Sequence, residues 1–183
     1  MQIKRLGAGV FTIGEFLSPV ECVDFIARSE SMGYSEAAVR TDDGDRVYGD
    51  ARNNDRIILD DREFAASLYQ RAQPLLPAEI DGWSVSGFNE RLRYYRYDKQ
   101  QQFVWHQDGT VRLSPTEESF LTFMIYLNDD FEGGSTDFGW ESVKPTQGMA
   151  LVFPHRLRHQ GAVVLSGVKY VLRTDVLYAK SDA

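Results

Sequence analysis

Among the three histidines of this chain, His106 lies two residues before a carboxylate, Asp108, in the stretch FVWHQDGTV (Phe103–Val111). In an extended strand residues i and i+2 point the same way, so this spacing sets an imidazole and a carboxylate around one point. Alone the pair is a weak signal, because a hydrogen-bonded surface pair has the same sequence. The other two histidines, His155 and His159 in FPHRLRHQG, supply a possible third donor. Two imidazoles and one carboxylate on one face of a metal form the donor set of mononuclear non-haem Fe(II), with three coordination positions left open. His155 follows Phe153-Pro154 in what reads as a solvent-facing turn. His159 opens HQGAVVLSGVKYVLRTDVLY, a strand, a Gly turn and another strand, which would hold a ligand rigidly. The expected metal ligands and catalytic residues are therefore His106, Asp108 and His159.

HQD followed by HQGAVVLSGVKY resembles the Fe(II)/2-oxoglutarate dioxygenases, and most closely their prolyl 4-hydroxylase branch, in which a Lys follows the distal His; Lys169 stands at that place. YLNDDFEGGSTDF, FTIGEFLSPVECVDFIARSE and RYDKQQQFVWHQD resemble further segments of the branch, so the likeness runs from about Val10 to Tyr178. It implies a double-stranded β-helix (jelly roll, cupin-like) with Fe(II) at its open end, 2-oxoglutarate as cosubstrate and O2, with ascorbate as an auxiliary. It also implies hydroxylation of a C–H bond, with decarboxylation of 2-oxoglutarate to succinate and CO2. A prolyl residue in a protein or peptide is the expected substrate, and a free amino acid or small metabolite the alternative. A non-catalytic module that senses 2-oxoglutarate and iron is the rival from another class.

The resemblance places further residues. The far carboxylate of 2-oxoglutarate needs a cation, since an unpaired buried carboxylate is costly. Lys169 matches the branch, while Arg173 faces the same way along an extended strand and offers a bidentate grip, so both stay open. Tyr126 matches a tyrosine that hydrogen-bonds that carboxylate, with Thr122 and Met124 on its strand face, and Tyr97 matches a tyrosine beside the metal strand. Val164 and Val171 are expected to line the barrel. Related halogenases lack the carboxylate ligand, so Asp108 favours hydroxylation. The nucleic-acid demethylase branch carries an Arg pair, and no second Arg follows Arg173.

The elements that must position these groups lie mostly after residue 90. RLRYYRY alternates, with Leu92 and Tyr94 on one face and Arg93, Tyr95 and Tyr97 on the other; FLTFMIYLND, MALVF and KYVLRTDVLY also read as strands. Trp105 should point away from His106, and Gly109 should free the chain to turn. Two helices come earlier. In SPVECVDFIARSESMG, Ser18 and Glu21 form a capping box, Val20, Val23, Ile26 and Ala27 an apolar stripe, and Gly33 a stop. In DDREFAASLYQRAQP, Asp60 and Glu63 fit a second capping box, Phe64, Ala65, Leu68 and Ala72 share a face, and Pro74 ends the helix. The pattern is mainly β with flanking helices (α+β): one domain over 1–183, with helices at about 18–75 packed on a jelly-roll core at about 83–180. Between the helices the polar stretch 40–56 reads as a loop and candidate substrate lid, with Arg52, Asn54 and Arg56 as substrate contacts. Arg91, Arg93 and Arg96 make the strand before the metal cation-rich.

Composition narrows the partners. A length of 183 residues, 43% apolar and 26% charged, suits a globular chain with a real core. The net charge of −7 argues against a nucleic-acid binder and against an anionic membrane surface. One cysteine, Cys22, excludes an intrachain disulfide. With no signal-like apolar run in MQIKRLGAGVFTIG and no stretch of about 18 apolar residues, a cytoplasmic setting is expected. Monomer is the default, and a protein, peptide or small molecule the expected partner.

Overall fold

The computed structural model describes residues 1–36, 39–41, 44–46 and 53–180. Strands β1 (Gln2–Gly7) and β2 (Val10–Gly14) precede helix α1 (Pro19–Met32), and β3 (Asp55–Asp60) leads into helix α2 (Arg62–Ala72). Then come β4 (Trp83–Phe88), β5 (Arg91–Tyr97), β6 (Phe103–His106), β7 (Glu117–Tyr126), β8 (Thr136–Asp137), β9 (Ser142–Val143), β10 (Ala150–Pro154), β11 (His159–Gly161) and β12 (Lys169–Ala179). The larger antiparallel sheet runs β1-β2-β10-β7-β12-β5-β3, and β4 pairs the C-terminal end of β12. The smaller sheet runs β6-β11-β8-β9. This is the mainly β jelly roll that the sequence leads one to expect.

Period-two alternation makes the layers. Leu92 and Tyr94 of β5, Leu121, Phe123 and Ile125 of β7, Ala150 and Val152 of β10, and Leu172, Val176 and Tyr178 of β12 face the helices. There they meet Cys22, Ala65, Leu68 and Ala72. The alternate residues Tyr95, Tyr97, Tyr126, Leu151, Phe153 and Val171 form a second cluster with Phe138, Val143 and Val164 toward the smaller sheet. Because the large sheet is covered on both sides, its strands carry apolar residues on both faces. Each fully buried Leu, Ile or Phe contributes about 1.5–3 kcal/mol. Truncating Phe123, which packs on Phe16 and Phe88, would cost about 3–5 kcal/mol.

The helices differ in detail from the sequence reading. The Ser18–Glu21 capping box forms, and Gly33 ends α1 with φ 80°. The buried face of α1 is set by Cys22 and Ser29, with Phe25 and Ile26 partly covered, while Val20 and Val23 are 70% and 58% exposed and Ala27 is exposed too. Both sets fit helical spacing; the one carrying Phe25 has more area to bury. Helix α2 is capped by Asp61, which accepts from Phe64 N, and not by Asp60. Asp60 is the last residue of β3 and grips Arg91, its partner on β5 (2.9 and 3.0 Å).

That pairing also corrects the 40–56 loop. Val39–Thr41 and Gly44–Arg46 pair as a short hairpin, and Asp55–Asp60 is a strand paired along its whole length with β5. Opposite charges sit across the two strands at Asp55–Arg96 and Asp60–Arg91, the arrangement that stabilises a cross-strand pair. Among the described residues no helix is long and apolar enough to cross a membrane.

Candidate active site

Strand pairing brings the two expected histidine ligands together. His106, the last residue of β6, is the direct partner of His159, the first of β11, and their ring centroids are 4.2 Å apart. Asp108 follows β6 after one residue, and its backbone N–H donates to His155 O (3.0 Å). His106 Nε2 lies 3.7 Å from Asp108 Oδ1, and His159 Nε2 lies 3.7 Å from Oδ2. One donor atom from each residue falls within 4.8 Å of the others, and among the described residues this is the one such group of three.

The fit to a divalent metal rests on the other face of each ring. Nδ1 of His106 donates to Val104 O (2.8 Å) and Nδ1 of His159 to Leu157 O (2.9 Å). A carbonyl only accepts, so each Nδ1 carries the proton and each Nε2 keeps its lone pair free, as metal-binding histidines require. Burial, aided by the neighbouring His159, pushes His106 down to about 4, and burial lowers His159 too, so both rings are neutral near pH 7. Burial raises the Asp108 carboxyl, but Arg173, His159 and the Thr122 hydroxyl together outweigh it and hold the group below its ordinary range. Phe103 stacks on His106 at 3.5 Å, and Phe153 packs edge-on against His159 at 4.5 Å.

Lys169 and Arg173, which the sequence leaves as alternatives, have different surroundings. Arg173 Nη1 contacts Asp108 Oδ1 at 2.9 Å and its Nη2 reaches Asp175 Oδ1 at 3.3 Å. Its charge is thus engaged behind the carboxylate ligand. Lys169 is 2% exposed; its Nζ donates to Gly134 O (2.6 Å) and lies 5.2 and 5.4 Å from the ring centres of Tyr97 and Tyr126. Among the described residues no carboxylate comes within salt-bridge distance of it. A buried ammonium in this setting would be stabilised by an anion placed beside it. Burial brings its pKa down to about 7, with Asp137 the opposing influence.

Lys169 and the three ligands line one narrow pocket with Tyr95, Tyr97, Phe103, Thr122, Met124, Thr136 and Arg173. Tyr97 and Met124 stand where expected, and Val164 and Val171 are buried in the barrel wall. Tyr126 does not line the pocket. It is fully buried and donates to Thr136 Oγ1 (2.7 Å), so it is Thr136 that presents a hydroxyl to the pocket. The sequence reading missed Thr136, whose only signal was its place just after the Gly-Gly turn. Thr122 lines the pocket, but its hydroxyl donates to Asp108 Oδ2 (2.5 Å) and not toward a cosubstrate.

His155 departs furthest from expectation. It is 2% exposed, not solvent-facing, with Nδ1 2.9 Å from Thr122 Oγ1 and Nε2 2.8 Å from Ser119 Oγ. Pro154 ends β10, and the strand carries His155 inward past its last pairing with β7. Of the expected substrate contacts, Arg52 lies outside the described residues. Asn54 is wholly buried and bonds the Asp55 carbonyl (2.7 Å), so it is structural. Arg56 lines a mouth cavity of about 260 Å³ beside Arg93, Tyr95, Gln107 and the metal-strand residues. Arg91, Arg93 and Arg96 are each tied to carboxylates, Asp60, Asp175 and Asp55. Trp105 is 38% exposed, pointing away from His106 as expected. Gly109 has no left-handed φ, and a Cβ there would meet nothing within 4 Å, so the turn does not demand glycine.

Residues 92–174 match the family model described as the 2OG-Fe(II) oxygenase superfamily. Prolyl 4-hydroxylase 1 of Arabidopsis thaliana is 28% identical over 190 residues, covering 88% of this chain, which in turn spans 66% of that protein's length. The viral collagen prolyl hydroxylase vCPH from Paramecium Bursaria Chlorella virus-1, solved as a 2OG complex, superposes with a TM-score of 0.66 at 22% identity, covering 94% of this chain and 97% of the other. A Pseudomonas putida prolyl-4-hydroxylase superposes with a TM-score of 0.70 at 16% identity, covering 95% and 94%. At these identities the two superpositions speak for the shared fold.

Proposed function

We propose that this chain, which resembles the 2OG-Fe(II) oxygenase superfamily over residues 92–174, is such an oxygenase and hydroxylates a C–H bond of a prolyl residue in a protein or peptide. The observation that carries the reading is one pocket holding a two-histidine, one-carboxylate donor set and a buried ammonium without a carboxylate partner. The prolyl target is supported by the prolyl 4-hydroxylase relative and by fold neighbours bearing that name. His106, Asp108 and His159 would hold Fe(II), and Lys169, with Thr136 and Tyr97 beside it, would hold the far carboxylate of 2-oxoglutarate. When bound, the two together supply O2 activation, one oxygen atom going to the substrate as hydroxyl and the other to succinate as CO2 leaves.

The chain's own residues do the rest. Neutral Nε2 atoms and an ionised Asp108 are ready to ligate without first losing a proton. Phe103, Phe153 and Met124 give the pocket apolar walls that limit water. Val104 O and Leu157 O fix the two rings. With Asp108 as a third protein ligand, a metal held here would keep a carboxylate where halogenation would need a halide, which favours hydroxylation.

A second reading keeps the reaction and changes the substrate. The mouth also presents Arg56, Tyr95 and Gln107, polar groups that would suit a small carboxylate such as a free amino acid. One experiment separates the readings: Fe(II), 2-oxoglutarate and O2 with proline-containing peptides in one arm and free amino acids in the other. The expected result is a +16 Da product and stoichiometric succinate in the peptide arm, lost in His106→Ala, Asp108→Ala and His159→Ala. Product in the amino-acid arm alone transfers the proposal to small molecules. Failure to bind 2-oxoglutarate with Mn(II) by calorimetry removes both.

A further inference from the structure

The FPH segment before the distal ligand has no part in the chemistry above, yet its histidine is buried directly behind the carboxylate ligand. Four side chains form a line: Ser119, His155, Thr122 and Asp108, at 2.8, 2.9 and 2.5 Å from one to the next. Ser119, Thr122 and His155 are all buried. The direction of every hydrogen bond in the line is determined. An ionised carboxylate only accepts, so Thr122 spends its one proton on Asp108 Oδ2. Thr122 can then only accept from His155, which makes Nδ1 the protonated nitrogen. In a neutral ring Nε2 is therefore bare, and the Ser119 hydroxyl donates to it, while Ser119 Oγ accepts from Val111 N–H (2.9 Å). No member is left unsatisfied, the condition under which a buried polar chain rigidifies its surroundings. Arg173, at 2.9 Å, holds the other carboxylate oxygen.

We propose that His155 is a positioning residue for Asp108, acting through Thr122 to fix the carboxylate in the orientation that receives the metal. This rests on His106, Asp108 and His159 being the ligand set. Without Nδ1–H, the Thr122 hydroxyl keeps only the longer contact from Arg173 Nη2 (3.5 Å) and loses its closer donor, and Asp108 loses the definition of Oδ2. Outer partners of metal ligands are typically worth 10–100-fold in metal affinity.

The test is Mn(II) binding to the full chain by calorimetry, without cosubstrate. Wild type must bind and Asp108→Ala must not; failure of that control removes the ligand set, whereas the outcomes below bear on His155 alone. His155→Leu is expected to weaken Mn(II) about tenfold. His155→Asn, whose amide nitrogen sits where Nδ1 does, should recover most of the loss. His155→Gln, whose amide extends toward Ser119, should not. Combined with Thr122→Val, His155→Leu should add nothing further, because Thr122 is the only route of its effect. Wild-type affinity in His155→Leu, equal affinities in the Asn and Gln variants, or additive losses in the double variant each overturn the proposal. If His155→Leu does not fold, the Asn–Gln comparison decides.

Discussion

At Lys169, burial lowers the ammonium to about 7 from an ordinary 10.5. Between those values the unfolded chain holds a proton here that the folded chain lacks, so this group's contribution makes the folded state less stable as pH falls toward 7. A carboxylate beside Nζ restores the charged form. Binding of 2-oxoglutarate at pH 8 is therefore expected to take up a proton, with affinity falling about tenfold per pH unit above 7. Calorimetry in two buffers of different ionisation enthalpy measures the uptake; a flat affinity from pH 7 to 9 would count against Lys169 as the receptor. Lys169→Met is expected to abolish 2-oxoglutarate binding and to raise the Tm of the ligand-free protein, because folding no longer has to desolvate or deprotonate an amine there. Arg173→Met should instead weaken Mn(II) more than 2-oxoglutarate, since its contacts are Asp108 and Asp175. The spacing along one strand puts Lys169 and Arg173 on the same face and leaves them equivalent. The acceptors that separate them, Gly134 O and Asp108, come from elsewhere in the chain, and a strand pattern carries no record of them.

At the scale of elements, the turn between β7 and β8 places Gly134 O as the hydrogen-bond acceptor of Lys169 Nζ. Gly134 has φ 63°, and a Cβ there would lie 2.9 Å from the Phe131 ring and 3.2 Å from Lys169 Cδ. Gly134→Ala is expected to raise the KM for 2-oxoglutarate while leaving Mn(II) affinity near wild type; equal damage to both would show a wider collapse. Helix α1 gives a pH prediction. Glu21 is held at about 2, first by the Arg71 hydrogen bond (2.7 Å) and then by the Ser18 cap, against burial. Its stabilisation is present above the ordinary value of 4.5 and is lost as pH falls toward 2. The pair is over a third exposed on the Arg71 side, so the contribution is at most about 1 kcal/mol. Urea midpoints of wild type and Glu21→Gln should differ at pH 7 and converge near pH 2. Such elements were partly legible in the sequence. The alternation of β5 divides Leu92 and Tyr94 from Tyr95 and Tyr97 as read, because two-sided burial of a strand is written in its period. The face of α1 was not, since two sets of residues satisfy the helical period and only the neighbouring Phe64 and Phe123 surfaces choose between them. His155 read as exposed because Pro154 signals a turn, and nothing local says that Ser119 and Thr122 wait beneath it.

Across the whole molecule, the ligands of the pocket join strands distant in sequence, so their binding is tied to global stability. At a hundred times their Kd, Mn(II) or 2-oxoglutarate with Mn(II) should stabilise the fold by about 2.7 kcal/mol, a rise in Tm of about 5–11 °C. Thermal scans with and without chelator check it, and Lys169→Met should keep the Mn(II) part and lose the increment from 2-oxoglutarate. The pairing of His106 with His159 has a consequence for folding itself. Side chains alternate along β6 and β11, so a slip of one residue would turn Trp105 or Gln160 inward and carry an imidazole outside. Only a chain whose smaller sheet has found its register gains the binding energy of the ion. A bound ion would therefore stabilise the paired register over a slipped one, so strand register and metal affinity are linked in one equilibrium.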